Sequence, residues 1–209
     1  MSLRPSDALP PTRLVLATRN AGKLREFGRL LQAHPDRLLS LDDAGFTAEL
    51  AEPGPGYVDN ALAKAEAVCA ALGVAALADD SGIEIDALRG WPGPLSARWL
   101  GDGATDAERL RGLLDEVERT TPDDRRCRYV CVVALARPGA EPITARGVCL
   151  GSMVAPRGDN GFGYDPAFES LNLGLTFGEA DDAHKDRVSH RARALARLAE
   201  SGVLDDIAQ

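Results

Sequence analysis

The chain has 209 residues, 44% hydrophobic and 27% charged, enough for one sizeable core without disulfides or a structural metal. Asp and Glu number 32 against 24 Lys and Arg, a formal charge of −8; such a field repels DNA and anionic membranes, which excludes both as partners. The longest apolar stretches are too short to span a bilayer.

Residues 1–12 are Pro-rich and polar and read as a disordered extension; residues 13–209 then form the folded domain. Arg13 to Thr18 is a short apolar run, read as a buried strand. Asn20 is placed to cap a helix whose Leu24, Phe27, Leu30 and Leu31 fall at helical spacing. An Ala-rich helix is expected from about Asp59 to Leu72, with Gly73 as its C′ residue. Val74 to Ala78 reads as a strand that ends in a turn, Asp79-Asp80-Ser81-Gly82, before a second strand carrying Ile83, Ile85 and Ala87.

Thr105 with Glu108 makes a capping box for a helix through Val117. Tyr129 to Ala136 and Ile143 to Val154 read as antiparallel neighbours, Asp159 to Pro166 as a loop, and a last helix begins near Ser189 with Leu195 and Leu198 inward. Helices interleaved with strands around a central hairpin give an α/β domain with a mixed sheet. The four cysteines (Cys69, Cys127, Cys131, Cys149) lack paired C-x-x-C spacing. Cys127 and Cys131 would share one strand face, as half-buried thiols rather than a zinc site. With no secretory leader, the expectation is a reducing cytoplasm.

Five clusters carry polar chemistry. In Thr18-Arg19-Asn20-Ala21-Gly22-Lys23 a strand feeds a helix N-terminus, which attracts phosphate; the same residues also suit an ordinary capped helix with a surface lysine. Asp79-Asp80-Ser81-Gly82 puts two carboxylates beside a buried strand, suited to Mg²⁺ and to deprotonating a water, or to a plain acidic turn. Glu52, before a Pro/Gly-rich loop, could complete a metal site, or be solvated surface. Phe162 and Tyr164, between the glycines of Gly161-Phe162-Gly163-Tyr164-Asp165, suit base stacking or a loop folded back on the core. Lys185 and Ser189-His190-Arg191 offer donors to a purine edge or a phosphate, or a solvated helix end.

In this order the clusters resemble one family, the RdgB/Ham1 inosine/xanthosine triphosphate pyrophosphatases. The resemblance runs from about Leu14 to Leu198 through ATRNAGKLRE, DNALAKA, ADDSGIEIDAL, SARW, GFGYDPAF and SHRARAL. It implies a two-lobed mixed β-sheet with flanking helices and a central substrate cleft, a homodimer, and one Mg²⁺ per subunit with Mn²⁺ as a substitute. The implied reaction is attack of water at the α-phosphate of ITP, dITP or XTP, giving the monophosphate and pyrophosphate. By the same resemblance Thr18, Arg19, Asn20, Ala21, Gly22 and Lys23 would hold the phosphates. Asp80 would be general base and metal ligand, Glu52 the second ligand with Glu49 as rival, and Asp79 a supporter. Ser81 would contact substrate; Phe162, Gly163, Tyr164 and Asp165 would stack on and position the base; Lys185, His190 and Arg191 would read its edge. Pro53, Gly56, Tyr57 and Asp59 depart from the family's Glu-Thr-Gly-x-Thr-Phe-x-Glu-Asn pattern, as do Pro94, Leu95 and Asn160 from theirs.

Overall fold

The computed structural model describes residues 13–31, 38–101 and 103–204, so the expected N-terminal extension lies outside the described residues. The chain forms strands β1 (Leu14–Leu16), β2 (Leu38–Leu39), β3 (Ala75–Ile85), β4 (Arg126–Ala136), β5 (Ile143–Met153) and β6 (Phe168–Ser170). Helices are α1 (Ala21–Leu31), α2 (Tyr57–Leu72), α3 (Asp106–Thr120), α4 (Asp182–Val188) and α5 (His190–Ala199). The strands make one mixed sheet in the order β2-β1-β3-β4-β5-β6. β1 runs parallel to β2 and β3, whereas β5 and β6 are antiparallel.

The chain divides into two compact units. Of the described residues, one takes those up to Asp80, then Val132–Arg146 and those from Ala194; the other takes those within Ser81–Cys131 and Gly147–Arg193. In the first, Leu14, Val15 and Leu16 are all buried and register against Ala75, Ala76 and Leu77. A parallel strand covered on both faces needs this unbroken apolar run. The Asn20 carboxamide accepts from the Lys23 N–H at 3.1 Å, capping α1 as its sequence implies. α2 buries Ala61, Ala65, Val68 and Cys69, an i, i+4, i+7, i+8 stripe. It stops where Gly73, at φ 68°, donates to the Cys69 carbonyl, a left-handed turn that favours glycine. Val15, Phe46, Val68 and Val132 belong to this unit's core, each fully buried apolar side chain contributing roughly 1.5–3 kcal/mol.

The expected break in β3 is absent. Asp79-Asp80-Ser81-Gly82, read as a turn, lies inside one continuous eleven-residue strand. Turn residues take turns when their side chains satisfy local backbone; here Asp79 meets Lys23 and Asp80 meets Asn60, leaving the backbone free to stay extended.

The second unit has its own core, in which Ile83, Ile85, Leu113, Val117, Phe168 and Phe177 are buried. α3 carries the expected capping box: the Glu108 N–H donates to Thr105 Oγ1, and the Thr105 N–H donates to the Glu108 carboxylate at 2.7 Å. The four cysteines form no disulfide and are buried, more deeply than the half-buried positions expected of Cys127 and Cys131. α4 has no counterpart in the sequence reading. Asp181 caps it by accepting from the His184 N–H at 2.7 Å, and Ser189 (ψ 157°) separates it from α5. α5 begins at His190 and buries Leu195 and Leu198 as expected. Among the described residues no helix is long and apolar enough to cross a membrane.

Candidate active site

The carboxylates on β3 sit in deep burial: Asp79 is 1% exposed and Asp80 4%. Each has cations or donors from helices of its own unit. Lys23 Nζ of α1 lies 3.0 Å from Asp79 Oδ1. From α2, Asn60 Nδ2 donates to Asp80 Oδ2 at 2.9 Å and Lys64 Nζ stands 3.9 Å from Asp80 Oδ1. Lys64 Nζ also donates to Glu52 Oε1 at 2.7 Å. Burial pushes the Asp80 carboxyl above the ordinary carboxylate range, with Lys64, Asn60 and Lys23 pulling it back and Asp79 adding to the rise. A buried carboxylate with a raised proton affinity is equipped to accept a proton from water.

Glu52 is half-buried and part of this network, whereas its rival Glu49 is exposed. Lys64 is the residue the sequence reading missed. Its spacing offered a signal, since positions 60, 61, 64, 65 and 68 all lie on the buried face of α2. At the start of α1, Thr18 and Lys23 are half-buried, Asn20 and Ala21 are exposed, and Gly22 is buried. The Arg19 guanidinium is committed elsewhere, donating to Asp42 and to the Phe46 and Ala48 carbonyls. Arg19 therefore has its backbone, rather than its charge, to offer a phosphate there.

The second unit gathers the other predicted residues. Lys185, His190 and Arg191 are 2%, 1% and 4% exposed, so they are not a solvated helix end. Lys185 Nζ donates to Asp165 Oδ2 at 2.6 Å, and the Phe162 N–H donates to the same oxygen at 2.8 Å. The Tyr129 hydroxyl donates to Asp165 Oδ1 at 3.1 Å. Its own proton is held well above the usual phenol range, first by burial and then by that carboxylate. The His190 ring stacks on Tyr129 with centroids 4.5 Å apart. Arg191 donates to Ser81 Oγ at 2.8 Å and lies 5.1 Å from the Phe162 ring centroid; Lys185 Nζ is 5.3 Å from the same ring.

Tyr164 differs from its expected role. It is buried, its hydroxyl donates to the Ser96 carbonyl at 2.7 Å and accepts from Trp99 Nε1 at 2.8 Å. It folds back on the core and anchors the loop, with Ser96 and Trp99 of the SARW stretch as its partners. Gly163 is pinned in turn, its N–H donating to Asp106 Oδ2 at 3.1 Å. Phe162 is the half-buried aromatic left to meet a flat ligand.

The family model described as the Ham1 family matches residues 14–201. The chain belongs to the Ham1 family. Two relatives called dITP/XTP pyrophosphatase bear this out. That of Syntrophobacter fumaroxidans is 46% identical over 189 residues, covering 88% of this chain and 79% of that protein. That of Geobacter sulfurreducens is 45% identical over 188 residues, covering 90% of this chain and 94% of that protein. The solved structure of a Ham1 protein from Coxiella burnetii has a TM-score of 0.80 at 37% identity, covering 90% of this chain and 97% of that one.

Whether these Ham1 side chains suit a metal follows from their chemistry. Mg²⁺ takes oxygen ligands and, beside nucleotides, is held by one or two carboxylates while phosphates and waters supply the rest. Asp80 and Glu52 offer carboxylates of this kind, both facing Lys64, and burial is what raises the proton affinity of Asp80. Among the described residues no group of three or more His, Cys, Asp or Glu is arranged to hold a metal by itself. The donor set fits a hard cation shared with a phosphate-bearing substrate, not a closed structural site.

Proposed function

We propose that this chain hydrolyses purine nucleoside triphosphates carrying an abnormal base (dITP, XTP and ITP) to the nucleoside monophosphate and pyrophosphate. The observation that carries the reading is the buried Asp79–Asp80 pair faced by Lys23 and Lys64, in a family whose relatives are called dITP/XTP pyrophosphatase. Mg²⁺, one per subunit and replaceable by Mn²⁺, would be held by Glu52 and Asp80. When bound it offsets phosphate charge and makes the α-phosphorus more electrophilic.

The protein's own groups do the rest. Thr18, Asn20, the first N–H groups of α1 and Lys23 bind phosphate oxygens. Asp80 takes the proton of the attacking water, while Lys23 keeps Asp79 in place beside it. Ser81 contacts the substrate, the Phe162 ring stacks on the base, and Asp165 holds Lys185 in position. Lys185, His190 and Arg191 present donors to the base edge. Hypoxanthine and xanthine have a C6 carbonyl to accept from them; adenine has an amino group there. An unmade hydrogen bond from a buried donor costs about 1–3 kcal/mol, so one or two mismatches reject adenine roughly ten- to several-hundredfold.

The working form is a homodimer, and its place is the cytoplasm, where four buried thiols stay reduced; sedimentation of the purified chain tests the dimer. Pyrophosphate release from dITP, XTP, ITP, ATP and GTP, with Mg²⁺ and with EDTA, tests the activity. Release from the first three, absent in EDTA, is expected; equal kcat/KM for ATP and dITP overturns the selectivity, and orthophosphate as product overturns the reaction.

A further inference from the structure

Asn60 is 0% exposed, at the N-terminal end of a helix that also buries Ala61, Lys64, Ala65, Val68 and Cys69. Its carboxamide is used at both ends. Nδ2 donates to Asp80 Oδ2 at 2.9 Å, and Oδ1 accepts from the Gly54 N–H at 2.9 Å. That orientation is fixed by chemistry: a flipped amide would set oxygen against oxygen at Asp80 and N–H against N–H at Gly54. Gly54 lies two residues after Glu52, and its backbone passes so close to α2 that a Cβ there would meet the Asp59 Cβ at 2.5 Å.

We infer that Asn60 is a positioning residue that ties the Glu52 loop to Asp80, so that the two carboxylates are held in register before any substrate arrives. The inference rests on the activity proposed above and deepens it. Occupying Oδ2 fixes the rotation of the Asp80 carboxylate and leaves Oδ1 turned to Lys64, which also holds Glu52. A single neutral side chain is suited to the task, because it adds no charge to a cluster already crowded with them. Pro53, Gly54, Pro55 and Gly56 give the loop few side chains to pack, so the Gly54–Asn60 bond is a principal tie between it and the buried face of α2. Asn60 acts through Asp80 and, by way of Gly54, through the Glu52 loop.

Two substitutions separate the two ends of the bridge. Asn60→Asp keeps an acceptor for Gly54 but loses the donor to Asp80; Asn60→Ala loses both. In nucleotide-free, metal-free protein, the Gly54 amide is expected to exchange with solvent about tenfold faster in Asn60→Ala than in wild type and near the wild-type rate in Asn60→Asp. In pyrophosphate release from dITP with Mg²⁺, both variants are expected to lose about ten- to a hundredfold in kcat while KM changes less than about threefold. Wild-type exchange at Gly54 in Asn60→Ala, or wild-type kcat in either variant, overturns the inference. If Asn60→Ala does not fold, near-isosteric Asn60→Asp decides: fast Gly54 exchange or wild-type kcat in that variant overturns it equally. If wild type itself releases no pyrophosphate, the proposed activity fails, while the exchange data still judge the Glu52-loop tie by themselves.

Discussion

At the scale of single residues, chemistry is concentrated in a few buried charges whose neighbours determine what they can do. Asp80 is buried, raised in proton affinity, and faced by Lys64 and Asn60. Asp80→Asn keeps the shape and removes both the proposed base and a proposed metal ligand. It is expected to lower kcat by at least about a thousandfold, because proton transfer and cation charge stabilisation are lost together, with an unchanged circular dichroism spectrum. Turnover at the wild-type rate would show that another group takes the proton. Glu52 and Glu49 invite a paired test. Glu52 belongs to the Lys64 network and Glu49 is exposed. Glu52→Gln should raise the Mg²⁺ concentration needed for half-maximal rate by about tenfold or more, in line with loss of one charged ligand, and Glu49→Gln should leave it unmoved. A shift in the second variant alone would exchange their roles.

At the scale of elements, much of the fold is legible where local chemistry decides it. The capping box of α3, the Gly73 stop of α2 and the Asn20 cap of α1 all stand where the residues put them. Thr105→Ala should cost about 1 kcal/mol of stability. The effect carries a pH signature, since the Thr105 N–H and hydroxyl hold Glu108 below its ordinary value of 4.5. A depressed carboxylate stabilises the fold above its unfolded pKa and loses that contribution as pH falls through its folded pKa. The melting difference between wild type and Thr105→Ala should therefore narrow as pH is lowered from about 6 to about 3; a difference that widens would refute the capping box. The illegible parts depend on distant partners. Asp, Ser and Gly in succession signal a turn, yet β3 runs through them because Lys23, Asn60 and Arg191 supply what a turn would have supplied locally. Gly82 is needed there for space: a Cβ would meet the Gly93 carbonyl oxygen at 2.0 Å and Ser96 Oγ at 2.6 Å. Gly82→Ala should destabilise by about 1–3 kcal/mol, read as a lower melting temperature. α4 was invisible because the residue it buries is Lys185, which leaves no apolar stripe to read. Lys64 was hidden for a related reason, since a lysine in an Ala-rich helix is ordinarily solvent-facing.

At the scale of the whole molecule, stability and catalysis draw on different parts of the chain. Each compact unit has its own apolar core, one around Val15, Val68 and Val132, the other around Ile83, Leu113 and Phe168. The cysteines form no disulfide, and no acidic, His or Cys cluster among the described residues could hold a structural metal. Proteins whose fold depends on a metal unfold when it is chelated; a chain with two hydrophobic cores does not share that dependence. The carboxylates that would hold Mg²⁺, Glu52 and Asp80, instead both face Lys64 within the protein, while Lys23 pairs with the neighbouring Asp79. In the proposed function a molecule with formal charge −8 would use the cation to receive a triphosphate, not to stay folded. EDTA is accordingly expected to abolish pyrophosphate release from dITP while moving the melting temperature by less than about 2 °C, under 1 kcal/mol for a chain of this size. Mg²⁺ with a non-hydrolysable dITP analogue at about a hundred times its Kd should add about 2.7 kcal/mol by mass action, a rise of roughly 5–10 °C. Unfolding in EDTA alone would make the metal structural and reverse the assignment. An analogue that raises the melting temperature as much in EDTA as in Mg²⁺ would mean that Lys23 and Lys64 suffice to bind the triphosphate, confining the cation to the chemical step.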